Sequence, residues 1–198
     1  MNLPNKLTVI RIILVPIMVL FAYLPIGGDV LGIPITMLIM EAIFIVASIT
    51  DKLDGYLARK NNQVTTFGKF LDPLADKILV LAAMVVLVEK MKIPAWIPII
   101  VLTREFIVSG FRLVAVEAGG KVIAASVWGK LKTVTQMFAL VVALIDINPF
   151  GAIFTRSLDT FSFIINLFAT VMMSISVIAT ILSGIDYIKN GKKLLTDK

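Results

Sequence analysis

Six stretches of mostly apolar residues, roughly 9–26, 35–58, 70–89, 94–116, 127–146 and 161–188, dominate this sequence. About 20 apolar helical residues cross the hydrocarbon core of a bilayer. In lipid every backbone N–H and C=O must be satisfied inside the protein, so a chain with long unbroken apolar runs must cross as helices. Of the 198 residues, 59% are hydrophobic and 16% charged, against about 45–50% and about 25% in soluble domains. The expectation is an all-α integral membrane protein: one domain over 1–198, six transmembrane helices and a short N-terminal interfacial helix around Pro4 and Asn5. The first stretch has no small-residue cleavage site before Gly27-Gly28-Asp29, so it reads as a mature span.

Cysteine and histidine are both absent. Disulfides, Cys/His zinc sites and a Ser-His-Asp triad are thereby excluded, and any general base must be Asp, Glu, Lys or Tyr. The net charge of +6 reads as membrane orientation and attraction to anionic lipid, with no nucleic acid as partner. With the N-terminus inside, eleven Lys and Arg residues fall on the inner side and three, Lys90, Lys92 and Arg156, on the outer. That asymmetry places both termini in the cytoplasm.

Charges within or beside apolar spans are costly, about 2.5–3.5 kcal/mol each at a helix centre on insertion scales. Asp51, Lys52, Asp54, Arg59, Asp72, Asp76 and Lys77 cluster at the inner ends of the second and third spans, and Arg104, Glu105 and Arg112 interrupt the fourth. Asp51 and Asp54 are three residues apart and Asp72 and Asp76 four, so each pair shares a helix face. A turn near 60–68 makes the two helices antiparallel neighbours, and four carboxylates then converge. A divalent cation is their natural counter-charge, and oxygen-only ligation suits Mg2+, Mn2+ or Ca2+. The competing reading, structural ion pairs with Lys52 and Lys77, explains one carboxylate at a helix end better than four at this spacing. Small residues, Gly55, Ala58 and Gly68, permit close approach of a helix or ligand, and Arg59 offers a fork for phosphate.

Residues 51–76 read D-x2-D-G-x2-A-R-x8-G-x3-D-x3-D. In order and spacing this resembles the signature of the CDP-alcohol phosphatidyltransferase family, and the resemblance extends over essentially the whole chain. It implies a metal-dependent displacement, with Mg2+ or Mn2+, in which an acceptor hydroxyl attacks the lipid-bearing phosphorus of CDP-diacylglycerol and CMP leaves. It assigns Asp51, Asp54 and Asp72 to metal, and Asp76 to both metal and the catalytic base. Asp51, Asp54, Gly55, Ala58, Arg59, Gly68 and Asp72 would bind the CDP-lipid. A homodimer, a polar cavity open to the cytoplasm and the bacterial cell membrane are further expectations from the resemblance.

The motif leaves the acceptor open. Arg104, Arg112, Lys130 and Lys132 bring four cations to the inner half of the bundle, which suits an acceptor with its own phosphate. Thr103-Arg104-Glu105-Phe106, Gly129-Lys130-x-Lys132-Thr133 and Asn5-x-Leu7-Thr8-x-x-Arg11 resemble those family members in bacteria that use sn-glycerol 3-phosphate. Inositol phosphate, phosphatidylglycerol and serine are the alternative acceptors. From a different class, a small divalent-metal transporter also carries intramembrane carboxylates, although here the acids gather at one face rather than at mid-bilayer.

Overall fold

The computed structural model describes residues 3–60, 66–117 and 127–196, with side chains outside the description at 3–4, 51–60, 66–70, 115–117 and 190–196. Six helices run in order: α1 Leu3–Tyr23, α2 Ile35–Lys60, α3 Thr66–Glu89, α4 Trp96–Glu117, α5 Val127–Ile145 and α6 Thr160–Thr196. They coincide with the six apolar stretches to within a few residues, except that α1 starts earlier and α6 ends later. Among the described residues three segments are long and apolar enough to cross a membrane: Asn5–Tyr23, Val127–Ile145 and Thr160–Lys189. The apolar part of α2, Ile35–Thr50, is shorter, and α3 and α4 carry the charges noted above.

The separate interfacial helix expected around Pro4 is not formed. α1 is continuous from Leu3, because proline in a first helical turn lacks only an N–H that has no partner there anyway. Between α1 and α2 the chain makes a two-stranded hairpin, β1 Asp29–Val30 and β2 Ile33–Pro34. Its two-residue turn has positive φ at both Leu31 (54°) and Gly32 (78°), the handedness that matches strand twist. The Asp29 carboxylate accepts a hydrogen bond from the Gly32 N–H at 3.1 Å.

The helices fall into two compact units. The first comprises Met1–Lys92 with Ala143–Ile147, and the second Ile93–Val142 with Asn148–Lys198. In the first, α1 packs on both α2 and α3, around a core that includes Met18, Met40, Phe44, Leu79, Met84 and Leu87. Thr8 of α1 bonds to Asp72 of α3, and Tyr23 at the other end of α1 bonds to Glu89 at the other end of α3. The two helices therefore run in the same direction. In the second unit α4 packs on α6, with contacts advancing from Arg104–Ser183 to Arg112–Tyr187, so these two are also parallel. Large apolar side chains such as Ile13, Leu20, Ile99, Phe106, Phe138 and Ile164 are exposed. Such a surface is stable against acyl chains and would aggregate in water.

The α5–α6 connection is held by buried polar groups of α6. Asn166 accepts from the Ile153 N–H and donates to the Pro149 carbonyl, and Thr170 accepts from the Gly151 N–H. Two side chains thus satisfy three backbone groups that lipid would leave unpaired.

Candidate active site

In the first unit the backbone places the acidic motif on two packed helices. Asp51, Asp54, Gly55, Ala58 and Arg59 lie in the last turns of α2, and Gly68 in the first turn of α3. The side chains at these positions are outside the described residues. Asp72 and Asp76 follow one turn apart on α3, both half-buried. Pro73 stands between them and removes one helical hydrogen bond from the turn that carries Asp72. Among the described residues no three acids form a metal-holding group, because only two of the four motif carboxylates are described. The donor set itself is four carboxylates from adjacent helices with neither sulfur nor imidazole, a chemistry that fits a hard divalent cation.

A feature that sequence reading missed is the hydroxyl facing Asp72. Thr8 Oγ1 donates to Asp72 Oδ1 at 2.6 Å. Asn5, Thr8 and Arg11 recur every three residues on α1, and all three are buried, while Ile10, Ile13 and Ile17 are exposed. The polar stripe of α1 therefore faces protein, together with Val15, Met18 and Ala22, while Ile10, Ile13 and Ile17 face outward.

The second unit holds the cations. Glu105 Oε1 accepts from Arg104 Nη1 at 2.8 Å and from Lys132 Nζ at 2.7 Å, so α5 is tied to α4 through one carboxylate oxygen. Arg104 Nη2 donates to Ser183 Oγ at 2.6 Å, and Arg112 Nη2 donates to the Tyr187 hydroxyl at 3.1 Å. Both guanidinium groups also lie near the Tyr187 ring, at 5.8 Å for Arg104 and 5.9 Å for Arg112, within the range of cation–π attraction. Of the four expected phosphate ligands, Arg104, Arg112 and Lys132 are thus linked through Glu105 and Tyr187. Lys130 is exposed, as two residues' separation on a helix requires when Lys132 is buried.

Ser183 and Tyr187 were not singled out from the sequence. Their signal was there: Asn166, Thr170, Ser176, Thr180, Ser183 and Tyr187 recur at helical spacing along an otherwise apolar α6, and all are buried.

A model of the family described as CDP-alcohol phosphatidyltransferase matches residues 1–182. The chain belongs to the CDP-alcohol phosphatidyltransferase family. Similar relatives include the CDP-diacylglycerol–glycerol-3-phosphate 3-phosphatidyltransferase of Bacillus subtilis, 43% identical over 98% of each chain. A protein of the same name from Haemophilus influenzae is 40% identical over 99% of this chain and 96% of its own. One from Rickettsia bellii is 36% identical over 97% and 96%. The match thus spans both units and includes the acidic motif on α2 and α3 as well as the cations on α4 and α5.

Proposed function

We propose that the chain is a phosphatidylglycerophosphate synthase, transferring the phosphatidyl group of CDP-diacylglycerol to sn-glycerol 3-phosphate with release of CMP. Family membership supports the reaction class, and the single observation that carries the acceptor is the Arg104–Glu105–Lys132 group with Arg112 on Tyr187. Three cations and one carboxylate leave a net charge of +2. That balances a phosphate monoester, which carries about −1.5 to −2 at neutral pH, and three separate donor groups suit its oxygens. Serine, a zwitterion of zero net charge, would leave this excess positive charge unbalanced.

Asp51, Asp54, Asp72 and Asp76 would hold Mg2+ or Mn2+, which when bound neutralises charge on the phosphates. Gly55, Ala58, Arg59 and Gly68 would line the cytidine nucleotide site. Asp76 takes the proton of the acceptor hydroxyl. The hydroxyl oxygen forms a bond to the lipid-bearing phosphorus as the bond from that phosphorus to the bridging oxygen breaks, and CMP departs with the electron pair. A carboxylate base is the natural choice in a chain without histidine. In this reading the protein is a single functional domain and a homodimer of the bacterial cytoplasmic membrane, with six crossings and both termini inside. The parallel pairs α1 with α3 and α4 with α6 support alternate crossings, since helices one apart in an alternating series run the same way.

The test supplies purified protein with Mg2+ or Mn2+, CDP-diacylglycerol and one alcohol at a time, and measures CMP and lipid product. Glycerol 3-phosphate is expected to give phosphatidylglycerophosphate. Product from inositol phosphate, phosphatidylglycerol or serine, and none from glycerol 3-phosphate, would overturn the acceptor. Metal flux into liposomes without CMP release would overturn the enzyme reading itself.

A further inference from the structure

Among the described residues, six helical hydroxyls bond back to their own helix. Ser48, Thr50, Thr133, Thr135, Ser174 and Thr180 each donate to the carbonyl four residues earlier, the usual habit of Ser and Thr in a helix. Thr8 reaches a different helix. It donates to Asp72 Oδ1, 64 residues away on α3, at 2.6 Å, within the short range of a hydroxyl bonded to an ionised carboxylate. The bond joins two buried or half-buried partners, and Thr8 is held in place by a helix that packs on both α2 and α3.

We infer that Thr8 is a positioning residue for Asp72: it fixes the carboxylate's plane and reserves one lone pair of Oδ1, so that Asp72 is preset to bind the cation before substrate arrives. The inference rests on the assignment of Asp72 to metal made above and deepens it. Asp72 sits beside Pro73, where the helix lacks one of its own hydrogen bonds, so an anchor from a neighbouring helix has a physical purpose. Threonine suits the task because its branched Cβ leaves few rotamers for the hydroxyl to explore. Groups that orient metal ligands from outside the coordination sphere typically matter by 10- to 100-fold in affinity or activity.

The test compares Thr8→Val, which keeps the shape and removes the proton donor, with Thr8→Ser, which keeps the donor. Mn2+ binding to purified protein without substrates is followed by electron paramagnetic resonance, and CMP release is measured in parallel. Thr8→Val is expected to weaken Mn2+ binding about tenfold or more and to raise the metal concentration needed for half-maximal turnover. Thr8→Ser should restore both to within about threefold of wild type, since it retains the bond. In an Asp72→Asn background, Thr8→Val should add no further loss of Mn2+ binding. Wild-type Mn2+ affinity in Thr8→Val, a Thr8→Ser protein as impaired as Thr8→Val, or additive losses with Asp72→Asn would each overturn the inference. Failure of the wild-type protein to bind Mn2+ would instead overturn the metal assignment on which it rests. If Thr8→Val does not fold, Thr8→Ala takes its place under the same criteria: weakened Mn2+ binding supports the inference and wild-type binding overturns it.

Discussion

Lys132 Nζ donates to Glu105 Oε1 at 2.7 Å, joining α5 to α4 through a buried ion pair. Glu105 receives Arg104 on the same oxygen, so one carboxylate keeps two cations from repelling each other. Lys132→Met should leave the affinity for CDP-diacylglycerol near wild type and raise KM for glycerol 3-phosphate. Loss of a hydrogen bond to a charged group, about 1.5–3 kcal/mol, corresponds to roughly 10- to 150-fold. Steady-state kinetics with each substrate varied in turn gives the answer, and an equal rise in both KM values would contradict the assignment.

Glu105→Ala removes the shared counter-charge and leaves two mostly buried cations facing each other. Breaking such a cluster from one side is expected to destabilise the protein by about 3–5 kcal/mol. Thermal unfolding in detergent should show a clear fall in Tm, whereas an unchanged Tm would mean that the cations find water.

Asp76→Asn should abolish CMP release while preserving binding of CDP-diacylglycerol better than Asp51→Asn does, because Asp76 is proposed as the proton acceptor whereas Asp51 is proposed to bind the CDP-lipid. Equilibrium binding of the CDP-lipid, measured beside turnover for both variants, separates the two roles. Normal turnover by Asp76→Asn would remove it as the base.

Tyr187→Phe keeps the ring near Arg104 and Arg112 and deletes the hydroxyl that Arg112 reaches at 3.1 Å. With about 0.5–1.5 kcal/mol at stake, KM for glycerol 3-phosphate should rise about two- to tenfold, with KM for CDP-diacylglycerol unchanged. A purely structural tyrosine would instead lower Tm without a substrate-specific change in KM.

Lys92 connects α3 to α4 and donates to the Leu144 carbonyl at 2.8 Å, in the last turn of α5. Burial pushes its ammonium pKa down from 10.5 to about 8, against the upward pull of Asp146 and Glu41; nearby Lys90 adds to the fall. Between these values the unfolded chain binds more protons than the folded one, so the stability contributed by Lys92 rises with pH from about 8 to 10.5. The slope is at most about 1.4 kcal/mol per pH unit. Arginine keeps its proton throughout. Wild type should therefore gain Tm relative to Lys92→Arg as pH rises from 8 to 10, with a constant difference below 8. Parallel curves over the whole range would show that Lys92 stays charged.

The helices were legible because apolar runs of this length leave the backbone no other solution in lipid. The acidic motif was legible because its residue types stand at fixed spacing in the sequence, whatever the helices around it do. What stayed hidden were partners supplied by remote helices. Nothing around Thr8 signals that its hydroxyl will reach Asp72, and nothing around Tyr187 predicts two arginines at its ring. Lys90 and Lys92, which counted against the charge asymmetry of the loops, have local employment: Lys90 lies 5.1 Å from the Tyr23 ring and Lys92 caps α5. A loop count cannot see such contacts. Pro4 misled for a different reason, since a proline that separates two elements and one that opens a single helix look alike until the backbone is traced.

α6 is 37 residues long, about 55 Å at 1.5 Å per residue, whereas a bilayer with its headgroups is about 40–45 Å thick. One end must stand in water. Counted from Thr160, Ser183 lies about 35 Å along the axis and Tyr187 about 40 Å. In the proposed topology, with Thr160 at the outer surface, the tyrosine that receives Arg112 would stand at headgroup depth on the inner side. A doubly charged, water-soluble alcohol can be received there without being drawn into oil, while the donor's acyl chains never have to leave it. The reach of a single helix thus acts as a depth gauge, setting how far a polar reactant must descend.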